Sequence, residues 1–311
     1  MHRLHTRGKI DESDAQAVNA NIPLFSVSQF TTWHQTFEQD VELYARLGIQ
    51  GIEVCERKLS NNLGKAREQL RLVRNMGLKV TSVQPRVHAL FRDGMCPELD
   101  DPRRRVEHYR RTIDLFSAAF PGENLPLVAI TGNPPGHNFR QAHRIARTIY
   151  RELAEYAAER EVRIMFEPLS PVLMNVDTFI CSLGEALQLI QDVDRPASFG
   201  LMLDVWHIWR EAAIFQRVAK LGQIIFGVHV SDWPRGEPRH FADRVLPGDG
   251  VIDLPKLLGA ADASGYRGAY CLEIFSLDEL PGSLWRQDPA SVLERGRTGF
   301  IRAWNVRKTC G

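Results

Sequence analysis

The sequence predicts an α/β fold, a single (β/α)8 barrel closed by eight parallel strands. Three observations carry this expectation. Short, β-rich apolar runs alternate with longer amphipathic stretches almost to the end of the chain. Several runs are apolar throughout, as strands buried on both faces must be. The first run continues into "SVSQFTTWHQTF", which lacks the glycine-rich phosphate fingerprint expected of a doubly wound open sheet. The length of 311 residues suits one such barrel.

The elements follow in order. The strand candidates are "IPLFSVS" (22–28), "GIEV" (51–54), "LKVTSVQ" (78–84) and "LPLVAIT" (125–131). The second half adds "VRIMFEPL" (162–169), "ASFGLMLDV" (197–205), "IIFGVHVSD" (224–232) and "GAYCLEIF" (268–275). Between them, "FEQDVELYARLG" (37–48) carries apolar positions at helical spacing and ends on glycine, a usual residue just past a helix. The same logic gives helices within 106–120, 141–160 and 178–193. A further helix is expected over 253–266, where Asp253 can cap the start and Pro255 fits the first turn. A last helix lies within 291–306.

Composition narrows the function classes. Hydrophobic residues make up 44% and charged residues 25%, enough for a sizeable core in a soluble protein. The formal net charge of +1 offers no broad basic field for nucleic acid. No apolar run approaches the ~18 residues of a membrane span. Residues 1–20 are polar and lack a signal-peptide core, so a flexible tail is expected before a barrel domain over 21–311. The five cysteines are scattered and form no C-x-x-C pair, which fits a reducing cytoplasm.

In a parallel barrel the C-terminal strand ends carry the chemistry. Reading the last four strands for an ionisable residue near that end gives Glu167, Asp204, His229 and Glu273. Each interrupts an apolar run, where an unpaired charge is costly to bury. Consecutive barrel strands are neighbours, so the four groups should converge. Three carboxylates and an imidazole suit one divalent metal ion, Mn²⁺, Mg²⁺ or Co²⁺ before Zn²⁺. His207 follows Asp204 by three positions, wrong for one face of a strand but compatible with a turn at its end.

The stretches "FEPLSP", "LDVWHIW", "GVHVSDW", "DRVLPGDGVID" with "GYRG", and "LEIFS" resemble the xylose isomerase-like TIM barrels. That group of sugar phosphate isomerases and epimerases is related to the endonuclease IV-type DNA repair enzymes. The likeness is detailed from about 162 to 276; over 22–161 it rests on strand–helix rhythm and on "LGIQGIEV". The resemblance implies that Glu167, Asp204, His229 and Glu273 are metal ligands, and that His207 and Arg244 contact substrate. Two departures matter. Where the repair enzymes carry Asp-x-His, this chain has Asp243 and Val245, which leaves a three-metal site incomplete. Where the ketose epimerases place a glutamate six residues after the first ligand, this chain has Leu173, which argues against free-ketose 3-epimerisation.

Other positions carry weaker expectations. Lys58 reads as a solvated loop lysine, with contact to an anionic substrate group as the alternative. Gln84, Arg86 and His88 follow the third strand and are candidates for the pocket wall. Trp206, Trp209, Trp233 and Trp285 gather near the last strand ends, as a sugar-facing wall or as packing under loops. The basic run "DPRRRVEHYRR" (101–111) reads as the solvated start of a helix.

The mechanism expected is proton transfer beside a carbonyl, through an enediolate-like intermediate stabilised by the metal as Lewis acid. Glu167 and Glu273, each giving one oxygen to the metal, would keep the other for acid–base work. The activity expected first is isomerisation or epimerisation of a sugar, sugar phosphate or keto-inositol. Dehydration of a keto-inositol or related polyol or acid is the alternative. An AP-site endonuclease and a non-catalytic sugar-binding barrel rank lower. The expected partner is a small carbohydrate-type molecule, with neither nucleic acid nor membrane; the subunit number is open, a homo-oligomer included.

Overall fold

The computed structural model describes residues 22–236 and 238–307. The predicted tail, residues 1–20, lies outside them.

Eight parallel strands pair in sequence order, and the last closes on the first. They are β1 (Phe25–Ser28), β2 (Gly51–Cys55), β3 (Lys79–Gln84) and β4 (Leu125–Ala129). The ring continues through β5 (Val162–Phe166), β6 (Phe199–Asp204), β7 (Ile225–Val230) and β8 (Tyr270–Leu272). β1, β2, β6 and β8 are buried along their whole length. Burial on both faces is what a closed parallel barrel wrapped in helices imposes on its strands. The predicted α/β barrel is the observed one.

Helices cover the outside. They are α1 (Phe37–Arg46), α2 (Leu63–Asn75), α3 (Pro102–Ala119), α4 (Phe139–Ala158) and α5 (Leu183–Val193). After β6 come two short pieces, α6 (Val205–Ile208) and α7 (Ile214–Val218), then α8 (Leu254–Ala263) and α9 (Pro289–Asn305). Their starts are set chemically. Thr36 and Gln39 form a reciprocal capping box at α1, and Asp253 accepts from the Lys256 N–H at α8, as expected from the sequence. Each such cap is worth about 0.5–2 kcal/mol.

Several boundaries differ from the expectation. The strands expected over 162–169 and 268–275 stop at Phe166 and Leu272, because the chain leaves the barrel wall just where Glu167 and Glu273 turn into its mouth. The helix expected from 178 begins at Leu183, where the Ser182 hydroxyl accepts from the Glu185 N–H. α2 escaped the sequence reading because its inward positions, Ala66, Gln69, Leu70 and Val73, include one small and one polar residue.

Two charged residues are also corrected. Lys58 is not solvated: its side chain is 7% exposed, and its Nζ lies 2.7 Å from both Asp40 Oδ2 and the Thr32 carbonyl. Asp40 on α1 also accepts from Gln29 Nε2 and Thr32 Oγ1, so the pair ties α1 to the loops after β1 and β2. In the basic run, Asp101 caps α3 and Pro102 opens it, as a helix start should. Arg105 within that run is nonetheless buried, donating to the carbonyls of Ala89, Cys96 and Leu99 and pairing with Asp93 at 3.2 Å. Among the described residues, no helix is long and apolar enough to cross a membrane.

Removing one partner of the buried Lys58–Asp40 pair leaves an uncompensated charge. Lys58→Met should cost about 3–5 kcal/mol in urea unfolding, and adding Asp40→Asn should restore part of the loss. A change under ~0.5 kcal/mol would show that the pair does not hold these loops.

Candidate active site and metal centre

β6 shows how the barrel builds its site. Asp204 ends the strand, and its two oxygens divide the work. Oδ1 accepts from the Trp206 N–H at 2.8 Å and caps α6, while Oδ2 faces the barrel mouth. The turn swings His207 to the same side, which reconciles the three-residue spacing with one shared pocket. Register does the rest. Asp204 pairs with His229 on β7, and Glu273 follows β8 directly beside it. Glu167 follows β5, with its N–H on the Ala129 carbonyl at 2.9 Å.

The four strand-end groups converge. One ligand atom each from Glu167, Asp204, His229 and Glu273 lies within 4.8 Å of the others, and all four residues are buried. His229 Nδ1 stands 3.2 Å from Glu273 Oε2 and 3.9 Å from Glu167 Oε1 and Asp204 Oδ2. It is buried without a hydrogen-bond partner, although it faces three acids. This donor set fits a divalent cation in charge, burial and chemistry.

Like charges at this separation perturb each other. Burial pushes Glu167 up to about 8, with Asp204 and Glu273 adding to the rise and His229 opposing it. Asp204 falls to about 2: burial works against its charge, but Arg244, His207 and His229 outweigh it. Burial takes His207 down to about 3, so that ring is neutral. The Ser170 N–H donates to His207 Nδ1 at 3.0 Å, which places the ring proton on Nε2. That edge points into the pocket, 3.7 Å from both Glu167 and Asp204.

Arg244 joins the cluster from the loop after β7. Its Nη1 is 2.7 Å from Asp204 Oδ2 and 3.1 Å from Glu273 Oε2. The guanidinium is sandwiched 5.2 Å from the Trp206 and Phe275 rings. The "PGDG" segment beyond it is a clamp. Asp232 accepts from the N–H groups of Gly248 and Ile252, and a Cβ at Gly250 would lie 2.2 Å from the Trp233 carbonyl. Asp243 is spent on Arg239, 2.8 Å from both Nε and Nη2, and does not join the cluster.

The mouth encloses a cavity of about 330 Å³ in which Glu167, His207, Arg244 and Glu273 meet Gln84, His88 and Asp177. Phe30, Ile130, Leu169, Leu173, Phe275 and Trp285 supply a carbon wall. Of the third-strand candidates, Gln84 and His88 line this space. Arg86 does not: its guanidinium donates to the carbonyls of Glu56 and Leu59. Of the four tryptophans only Trp285 lines the cavity; Trp206, Trp209 and Trp233 stack behind, at centroid distances of 4.5 and 5.7 Å. Sequence reasoning missed Glu53, whose Oε2 is 2.9 Å from His229 Nε2. The signal was available, since Glu53 interrupts the apolar run "GIEV" as the four ligand candidates interrupt theirs.

A family model for the xylose isomerase-like TIM barrel matches residues 41–295. The chain belongs to that family. It is 31% identical over 248 residues to a 3-dehydroshikimate dehydratase of Pseudomonas aeruginosa, covering 78% of this chain and 36% of that protein. The chain thus spans just over a third of the length of that curated relative. It is 31% identical over 128 residues to an inosose isomerase of Halalkalibacterium halodurans, covering 40% of this chain and 43% of that one. The crystal structure of the IolI protein with a zinc atom superposes with a TM-score of 0.73 at 17% identity, over 92% of this chain and 99% of the other. The curated relatives this chain resembles thus include enzymes of more than one reaction type.

If the four groups hold a cation, Mn²⁺ at about 100 times its Kd should raise stability by about 2.7 kcal/mol, reversibly with chelator. Asp204→Ala should remove that rise in a thermal melt. An equal Mn²⁺ effect on parent and variant would place binding elsewhere.

Proposed function

We propose that this chain is a divalent-metal-dependent enzyme that moves a proton beside the carbonyl of a small polyhydroxylated ring compound, with loss of water as the outcome. The observation that carries this reading is the meeting of Glu167 and Glu273 at one end of a cavity whose wall is largely carbon. Glu167, Asp204, His229 and Glu273 would hold the ion, and the oxygen-rich set favours Mn²⁺, Mg²⁺ or Co²⁺ over Zn²⁺. When bound, the ion supplies Lewis acidity toward a carbonyl or hydroxyl pair.

The chain's own groups then divide the remaining tasks. Glu273, steadied by Gln84 Nε2 at 3.0 Å from its Oε1, takes the proton from the carbon next to the carbonyl. Glu167, which burial keeps protonated, gives its proton to the departing hydroxyl, which leaves as water. His207 Nε2–H and the Arg244 fork hold substrate oxygens. Phe30, Leu169, Leu173 and Phe275 keep water from the reacting carbons.

The carbon wall favours dehydration of a ring over chemistry on an open-chain ketose. Ile130, Leu169 and Leu173 offer no hydrogen-bonding side chain to the hydroxyls of an extended ketose. A ring that flattens as it loses water presents carbon to Phe275 and Trp285. The similarity to the dehydratase points the same way. The second reading is isomerisation on the same groups, with the proton returned to a neighbouring carbon, and the similarity to the inosose isomerase favours it. Endonuclease chemistry lacks support, since Asp243 is held by Arg239 and Val245 replaces the histidine.

Metal-loaded protein incubated in D₂O with 3-dehydroshikimate and with inososes separates the outcomes by mass spectrometry. Loss of one water from the substrate is the expected result. A product of unchanged composition carrying deuterium selects isomerisation, and no turnover or exchange with any of them overturns both readings. Glu273→Gln should lower kcat by about 10²–10⁴-fold. Near-parental turnover would remove Glu273 from proton transfer.

A further inference from the structure

His229 is gripped from both sides, and only one side belongs to the cluster just described. Its Nε2 lies 2.9 Å from Glu53 Oε2, an acid contributed by β2 from across the barrel. Glu53 is fully buried, and the same Oε2 accepts from the Ser82 hydroxyl on β3 at 2.7 Å. Glu53, His229 and Cys271 present ligand atoms within 4.8 Å of one another, so a second cation site has to be weighed. Its chemistry is poor. The Glu53 oxygen that faces the ring, Oε2, is already filled by an imidazole N–H and the Ser82 hydroxyl, which leaves Oε1 and a single buried thiol as its donors.

We propose instead that Glu53 is a positioning residue for the metal centre. The inference rests on the reading of Glu167, Asp204, His229 and Glu273 as ligands. A carboxylate against Nε2 fixes the ring proton there and leaves the Nδ1 lone pair toward the three acids. It also fixes the ring plane, which the four-residue loop of contacts Ser82–Glu53–His229–Glu273 carries from β3 to the mouth. The negative charge of Glu53 raises the donor strength of Nδ1. Substitution should therefore weaken the cation more than it disturbs the fold.

Calorimetric titration of metal-free protein with Mn²⁺ tests this directly. Parent protein should take up one equivalent per chain. Glu53→Gln keeps an oxygen for Nε2 but loses the charge, and Glu53→Ala loses both. The expected loss of Mn²⁺ affinity lies within the roughly 10–100-fold typical of such supporting carboxylates, smaller for Gln and larger for Ala. A metal-free melting temperature for Glu53→Gln close to parent shows that the loss is not unfolding, and Gln decides alone if Ala does not fold. Affinities within twofold of parent overturn the role of Glu53 while leaving the cluster intact. Absence of Mn²⁺, Co²⁺ and Zn²⁺ binding by the parent overturns the ligand reading itself. A second equivalent lost in Glu53→Ala would reassign Glu53 and Cys271 to a cation site of their own.

Discussion

The molecule is organised around a charge problem at the barrel mouth. Three carboxylates are held within 4.8 Å of an imidazole, all of them buried. Such a set repels itself, and isolated buried charge is costly. The surrounding structure answers with cations and donors from every side. Arg244 reaches two of the acids, the Trp206 N–H takes the outer oxygen of Asp204, and Gln84 takes one of Glu273. Aromatic rings on either side of Arg244 and the Asp232 clamp on "PGDG" keep the loop that carries it in place. A divalent cation is the natural completion of this arrangement.

Parallel closure makes such a gathering inexpensive in geometry. Every strand delivers its end to the same rim, so one residue per strand suffices and no long loop has to fold back. Asp204 and His229 are register partners, and β8 ends one step short of Glu273. The strands are short and apolar below the rim, which leaves their last positions free to be polar.

Much of this was legible in the sequence for a simple reason. A charge interrupting a run such as "LMLDV" or "GVHVSD" violates the apolar pattern and so marks itself. Strand rhythm and the co-ordered motifs of the second half supplied the fold and the four ligand candidates. The misreadings share another cause. Lys58 and Arg105 look like surface residues because nothing local announces Asp40 or Asp93, their partners through tertiary contact. Arg86 lies two positions from Gln84, yet its side chain serves the carbonyls of Glu56 and Leu59. α2 hid because its buried face mixes Ala66 and Gln69 with Leu70 and Val73. Pairing, unlike periodicity, leaves no trace in a single chain.

The divided carboxylate of Asp204 limits redesign. Its Oδ1 seats a helix start and its Oδ2 belongs to the buried acid–histidine cluster, so the position answers to two unrelated requirements. Asparagine, serine or threonine could satisfy the first and glutamate the charge of the second, but each alternative gives up one. Anyone changing the charge of this rim therefore has 167, 229 and 273 to work with. Position 204 is the fixed corner from which the others must be measured.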